Sequence, residues 1–149
     1  MVQLSEIRKL RKKDEASVYI QISREIGLVL TWIILNVFPS VSANAVTISM
    51  LVINLVSIAL LFKGILHNSL WLFISSFLLF NFSIFLDCVD GNIARFRQQQ
   101  SVYGVFLDRL VHNVYYPLLF FVPGIAVLCK TSSFGWFLVF FLAGIMTEL

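Results

Sequence analysis

Three long apolar runs limit what this chain can become. They are residues 45–62 (AVTISMLVINLVSIALLF), 69–86 (SLWLFISSFLLFNFSIFL) and 105–128 (VFLDRLVHNVYYPLLFFVPGIAVL). Crossing a hydrocarbon core of about 30 Å takes about 20 helical residues, so each run is a candidate membrane span. A fourth run, residues 134–146 (FGWFLVFFLAGIM), begins in the same way. At 1.5 Å per residue it reaches only about 20 Å. The chain is 59% apolar and 13% charged, against about 25% charged for a soluble domain. In lipid every backbone polar group must be satisfied internally, and helices do this segment by segment. The expected fold is all-α: a polytopic transmembrane helix bundle of about four spans.

The first 43 residues read differently. In LSEIRKLRKKDEA, Leu4, Ile7, Leu10 and Ala16 recur near helical spacing with bases between them. Such a segment suits an anionic membrane surface and is expected to be an interfacial amphipathic helix. Residues 26–38 (IGLVLTWIILNVF) are apolar but short, and Pro39 stops them. They read as a partly inserted helix, with a short tilted span as the alternative. The expected division is residues 1–43 as an interfacial segment and 44–149 as the membrane domain. Because the last run stops early, that domain is expected either to be truncated at its C-terminus or to lean on another subunit.

Charge placement sets an orientation. Arg8, Lys9, Arg11, Lys12, Lys13, Arg24, Arg95, Arg97 and Arg109 fall on one side of the expected spans, and only Lys63 and Lys130 on the other. The rule that basic residues stay inside then puts the N-terminus in the cytoplasm. Cys88 and Cys129 fall at opposite faces, which argues against a bond between them. No short apolar leader with a small-residue cleavage site follows the N-terminus. Clustered aromatics on a basic surface are lacking, so no nucleic-acid partner is expected.

The acids carry the functional signal. After Glu25 the chain has only Asp87, Asp90, Asp108 and Glu148. Carboxylates near a membrane span are costly and persist where they have a task. Asp87 and Asp90, three apart, share a helix face, and Gly91 beside them leaves room for a ligand. Gly104, Asp108 and His112 are spaced by four and form one stripe. Side by side, these runs would gather three carboxylates and an imidazole, a donor set suited to Mg²⁺ or Mn²⁺. Arg95 could hold a phosphate by paired hydrogen bonds. The competing reading is a buried charge network in which Asp87 or Asp108 pairs with Arg95 or Arg109. Cys88 reads as a passive small residue.

The stretch DCVDGNIARFRQQQSVYGVFLDRLVH resembles the signature of the CDP-alcohol phosphotransferase (CDP-alcohol phosphatidyltransferase) family, D-x2-D-G-x2-A-R-x8-G-x3-D-x3-D. Asp87, Asp90, Gly91, Ala94, Arg95, Gly104 and Asp108 match in type and spacing. Asn44 and Thr47 are similar to the family's P-N-x-x-T element, without its proline. The resemblance implies a membrane transferase of phospholipid or related polar-lipid synthesis, with its site on the cytoplasmic side. A CDP-alcohol donor and an acceptor alcohol would yield a phosphodiester and CMP. Asp87, Asp90 and Asp108 would bind the metals, two ions in all. Gly91, Ala94 and Gly104 would admit the cytidine diphosphate close to the backbone, with Arg95 near it, and Asn44 and Thr47 would also bind substrate. A homodimer is expected, within the bilayer.

Two departures matter. The signature's last aspartate, the expected proton acceptor, is His112 here. Imidazole titrates near pH 6.5 and can serve as a general base, but it is a poorer ligand than carboxylate for Mg²⁺. His112 is therefore read as a replacement base, as part of a site that binds without turnover, or as a packed polar residue bonded to a neighbour such as Asn113. The family also has about six spans, more than are counted here. The alternative function is a catalytically degenerate homologue that binds metal and nucleotide, or a membrane assembly subunit. Whether Arg24, Arg97 or Arg109 reaches the pocket is not fixed by spacing.

Overall fold

The computed structural model describes residues 2–9 and 17–146. They form six helices: α1 (Leu4–Arg8), α2 (Val18–Val37), α3 (Ala43–His67), α4 (Leu70–Phe96), α5 (Val102–Thr131) and α6 (Phe134–Met146). No strand occurs among the described residues, as the all-α expectation requires. Four helices, α2 to α5, are long and apolar enough to cross a membrane, and α6 is shorter.

That count of four matches expectation, but its membership does not. The segment expected to be short, residues 26–38, belongs to a 20-residue helix that starts at Val18. Arg24 and Glu25 interrupt the apolar run and hide its first two turns from a reading by hydropathy. The Ser17 hydroxyl accepts from the Ile20 amide at 3.4 Å and caps the helix. The chain then turns at Pro39. Polar residues 92–96, beyond the apolar run 69–86, are helical as well. Helix α4 continues through them to Phe96, and only residues 97–101 connect it to α5. Gln98, at φ 53°, makes the left-handed turn there, and its neighbour Gln99 donates its amide to the Ala94 carbonyl at 3.0 Å. Of the basic N-terminal segment, α1 covers five residues, and Leu10 to Ala16 lie outside the described residues.

Many large apolar side chains face outward, and several polar ones are buried. Trp71, Phe77, Leu78, Val102 and Trp136 are exposed, while Thr31, Thr47, Asn54, Ser57, Ser76, Ser83 and Asn92 are buried. Apolar side chains outside and polar side chains between helices suit a lipid solvent. The buried hydroxyls of Ser23 and Thr31 bond to carbonyls one turn back, at 2.9 and 2.6 Å.

The chain divides into two compact units. One comprises residues 1–50 and 82–108, the other 51–81 and 109–149. In the first, Val2 ties α1 to α2: its amide donates to Asn36 Oδ1 at 3.0 Å and its carbonyl accepts from Trp32 Nε1 at 2.9 Å. Gly27 lets α2 approach α4 so closely that an added Cβ would lie 2.5 Å from Cys88 Cβ. In the second, Ser57 and Ser76 each donate to the other's backbone carbonyl at 2.8 Å. Lys130 donates to the Ile65 carbonyl at 2.7 Å and to Asn68. Both cysteines are free.

Two substitutions test this packing. Gly27→Ala forces two backbone-anchored carbons together and should cost about 1–3 kcal/mol, seen as a lower unfolding midpoint in detergent. Asn54 is fully buried, and neither amide atom has a hydrogen-bond partner among the described residues. Asn54→Leu should therefore raise the midpoint, by the equivalent of about 1–3 kcal/mol. A midpoint that falls would show that the amide is satisfied in the folded chain.

Candidate active site

The last three turns of α4 carry most of the chemistry. Because the helix continues to Phe96, Asp87, Asp90, Gly91, Ala94 and Arg95 share one rigid element. Asp90 is buried, and a buried carboxylate needs donors. Thr47, one turn into α3, donates its hydroxyl to Asp90 Oδ2 at 2.7 Å. Gly91 has a different task. A Cβ there would lie 3.3 and 3.4 Å from the two terminal nitrogens of Arg95, so the guanidinium lies against the bare backbone of Gly91.

Two cavities flank this segment, both within the first unit. The larger, of about 340 Å³, is lined by Asn44, Thr47, Asp90, Gly91, Ala94, Arg95, Gly104 and Asp108, together with Ala43, Val105 and the polar run Gln99, Gln100 and Ser101. The smaller, of about 280 Å³, is lined by Arg24, Leu28, Asp87, Cys88 and Asn92 and shares Asp90, Gly91, Arg95 and Asp108 with the first. The structure thus brings all six sequence-predicted substrate-binding residues to one cavity. Gly104 keeps that cavity open: a Cβ would meet Asn44 Oδ1 at 3.5 Å and Ser101 Oγ at 3.3 Å. Ser101 Oγ also accepts the Gly104 amide at 3.0 Å and caps the start of α5.

The carboxylates of Asp87 and Asp108 bring oxygens within 4.8 Å of each other. His112 follows Asp108 by one turn along α5. Its ring sits 5.4 Å from that of Tyr115 and 5.5 Å from that of Tyr116. Hard oxygen donors at this separation fit a divalent cation such as Mg²⁺ or Mn²⁺. Asp90 borders both cavities with Asp108 and already accepts from Thr47.

Some residues were not legible in advance. Arg24 lines the smaller cavity, whereas Arg97 turns away and donates to the Pro39 carbonyl. Arg109 lines neither cavity. Thr31 and Asn92 form a buried pair between α2 and α4, 3.2 Å apart. Asn92 occupies a variable position of the signature, and Thr31 precedes the signature altogether. Their only sequence signal was a polar side chain inside an apolar run.

The family model described as CDP-alcohol phosphatidyltransferase matches residues 40–149. No curated protein sequence matches the chain. The matched range holds α3 to α6 and the α4–α5 segment that lines both cavities, and it leaves out α1 and α2.

The Thr47–Asp90 bond gives a direct test. Thr47→Val strands a buried carboxylate oxygen and should lower stability by about 1–3 kcal/mol, whereas Thr47→Ser should hold it near wild type. Equal midpoints for the valine and serine variants in detergent would show that the bond contributes nothing.

Proposed function

The chain belongs to the CDP-alcohol phosphatidyltransferase family, and from that premise we propose that it transfers a substituted phosphate from a CDP-alcohol to an acceptor alcohol and releases CMP. The observation that carries this reading is the larger cavity, where Gly91, Ala94, Arg95, Gly104 and Asp108 meet Asn44 and Thr47. Its volume of about 340 Å³ falls in the range of small-ligand sites, about 300–1,000 Å³. In this reading it receives the cytidine diphosphate. The glycines and Ala94 admit the diphosphate to the backbone, and Arg95 donates to its oxygens.

Asp87, Asp90 and Asp108 would hold Mg²⁺ or Mn²⁺, which when bound neutralises diphosphate charge. The acceptor's hydroxyl oxygen forms a bond to the phosphorus of the transferred group. The bond from that phosphorus to the bridging oxygen breaks, and CMP leaves with the electron pair. The acceptor's proton passes to His112. The CDP-alcohol enters from the cytoplasmic side, where the basic residues lie, and the chain works in the bilayer as a homodimer in phospholipid or related polar-lipid synthesis.

A second reading rests on one observation. His112 stands at the fourth acidic position, and a neutral imidazole brings one negative charge fewer to the metals. The site would then bind metal and nucleotide without turnover, as a degenerate homologue or an assembly subunit. Membranes carrying the full chain, screened with CDP-alcohols and alcohol acceptors in Mg²⁺ or Mn²⁺, separate the two. The transferase releases CMP; binding of CDP without release supports the second reading. In the active protein His112→Ala should lower the rate about 10²- to 10⁴-fold, and His112→Asp should keep or raise it. An unchanged rate in His112→Ala removes His112 from proton transfer.

A further inference from the structure

The geometry points to a positioning relay that starts on α2, Thr31 to Asn92, and fixes the guanidinium of Arg95. This inference rests on the reading of Arg95 as a diphosphate ligand. Its first two links are buried and the third is part-buried. Thr31 Oγ1 donates to the Gly27 carbonyl at 2.6 Å. Asn92 Nδ2 donates to Thr31 Oγ1 at 3.2 Å. Arg95 donates a terminal N–H to Asn92 Oδ1 at 2.8 Å. Thr31 is fully buried and Asn92 nearly so.

Donor and acceptor logic makes the relay directional. A hydroxyl has one proton, and Thr31 spends it on Gly27. Its oxygen can then only accept, so Asn92 must face it with the amide NH₂. That leaves the amide oxygen for Arg95, whose side chain can only donate. The opposite amide orientation would set NH₂ against guanidinium and carbonyl oxygen against hydroxyl oxygen. One backbone carbonyl on α2 therefore determines which way the amide points, and the amide determines where the charge sits. Arg95 borders both cavities and lies over Gly91. Its Nε is buried with no hydrogen-bond partner among the described residues, so one donor stays uncommitted. Thr31 and Asn92 are positioning residues: they select one of the arginine's several rotamers before any ligand arrives, which lowers the ordering cost of binding.

The relay also gives α2 a role that the signature does not record. Residues 18–37 lie outside the matched range 40–149, yet Thr31 supplies the first link.

The test is a double-mutant cycle on the full chain in detergent, with two readouts: the Kd for CDP in Mg²⁺, and the unfolding midpoint. Thr31→Val keeps the shape and removes the hydroxyl. It should weaken CDP binding roughly tenfold, while Thr31→Ser restores it. In an Arg95→Gln background, Thr31→Val should weaken CDP no further, because there is no guanidinium left to aim. In turnover, the loss should appear in KM for the donor with kcat changed less than twofold. The relay is overturned if Thr31→Val leaves Kd unchanged, or costs the same factor in both backgrounds. Should the wild-type chain bind no CDP, the transferase and nucleotide-binding readings fail together. The midpoints then decide the relay alone: non-additive shifts for Thr31→Val and Arg95→Gln support it, and additive shifts overturn it.

Discussion

The close approach of α2 to α4 at Gly27 and Cys88 underlies the rest of the site. With no side chain at Gly27, the two helices meet backbone to side chain, at a separation that even one methyl group would violate. That separation brings Thr31 within reach of Asn92. It also brings Arg24 and Leu28 to the cavity that Asp87 and Cys88 line. Gly27 contributes a second time, since its carbonyl takes the Thr31 hydroxyl proton. A single residue without a side chain thus sets the spacing of two helices and the polarity of the bonds between them.

The cost of burying polar groups explains their arrangement. Lipid gives no driving force for apolar side chains to hide from one another, so polar bonds and close packing must hold the helices together. In the first unit the Thr47–Asp90 and Thr31–Asn92 pairs do this. In the second, the reciprocal Ser57–Ser76 bonds do it, and Gly124 lets Phe140 approach to within 2.8 Å of where a Cβ would stand. The first unit differs in also burying charge. Asp90 and Arg95 border the same cavities, where ionic groups are costly to hold.

The sequence disclosed the site's floor better than its walls. Asp87, Asp90, Gly91, Ala94, Arg95, Gly104 and Asp108 could be read because a fixed spacing on two helices projects onto a fixed face. Asn44 and Thr47 could be read from a shorter element. The extent of α2 could not, because Arg24 and Glu25 break its hydropathy while leaving its backbone helical. The end of α4 was obscured for a related reason: Asn92 and Arg95 look like loop residues until their cavity is seen. Thr31 and Asn92 were invisible as a pair. They are 61 residues apart, and no periodicity links side chains on separate helices.

On the proposed reading, His112 is where the site's two demands diverge. A fourth carboxylate would serve metal binding and proton transfer at once. An imidazole separates them: neutral, it adds no charge to hold a divalent cation, yet a ring nitrogen can still accept a proton. One turn from Asp108, it keeps the helical register of the residue it replaces. Its ring neighbours are Tyr115 and Tyr116. On the proposed reading, the metal is then held by the three aspartates, and the relay through Thr31 and Asn92 gains weight. With less metal charge to organise the diphosphate, more of that task falls to a guanidinium whose position is set in advance.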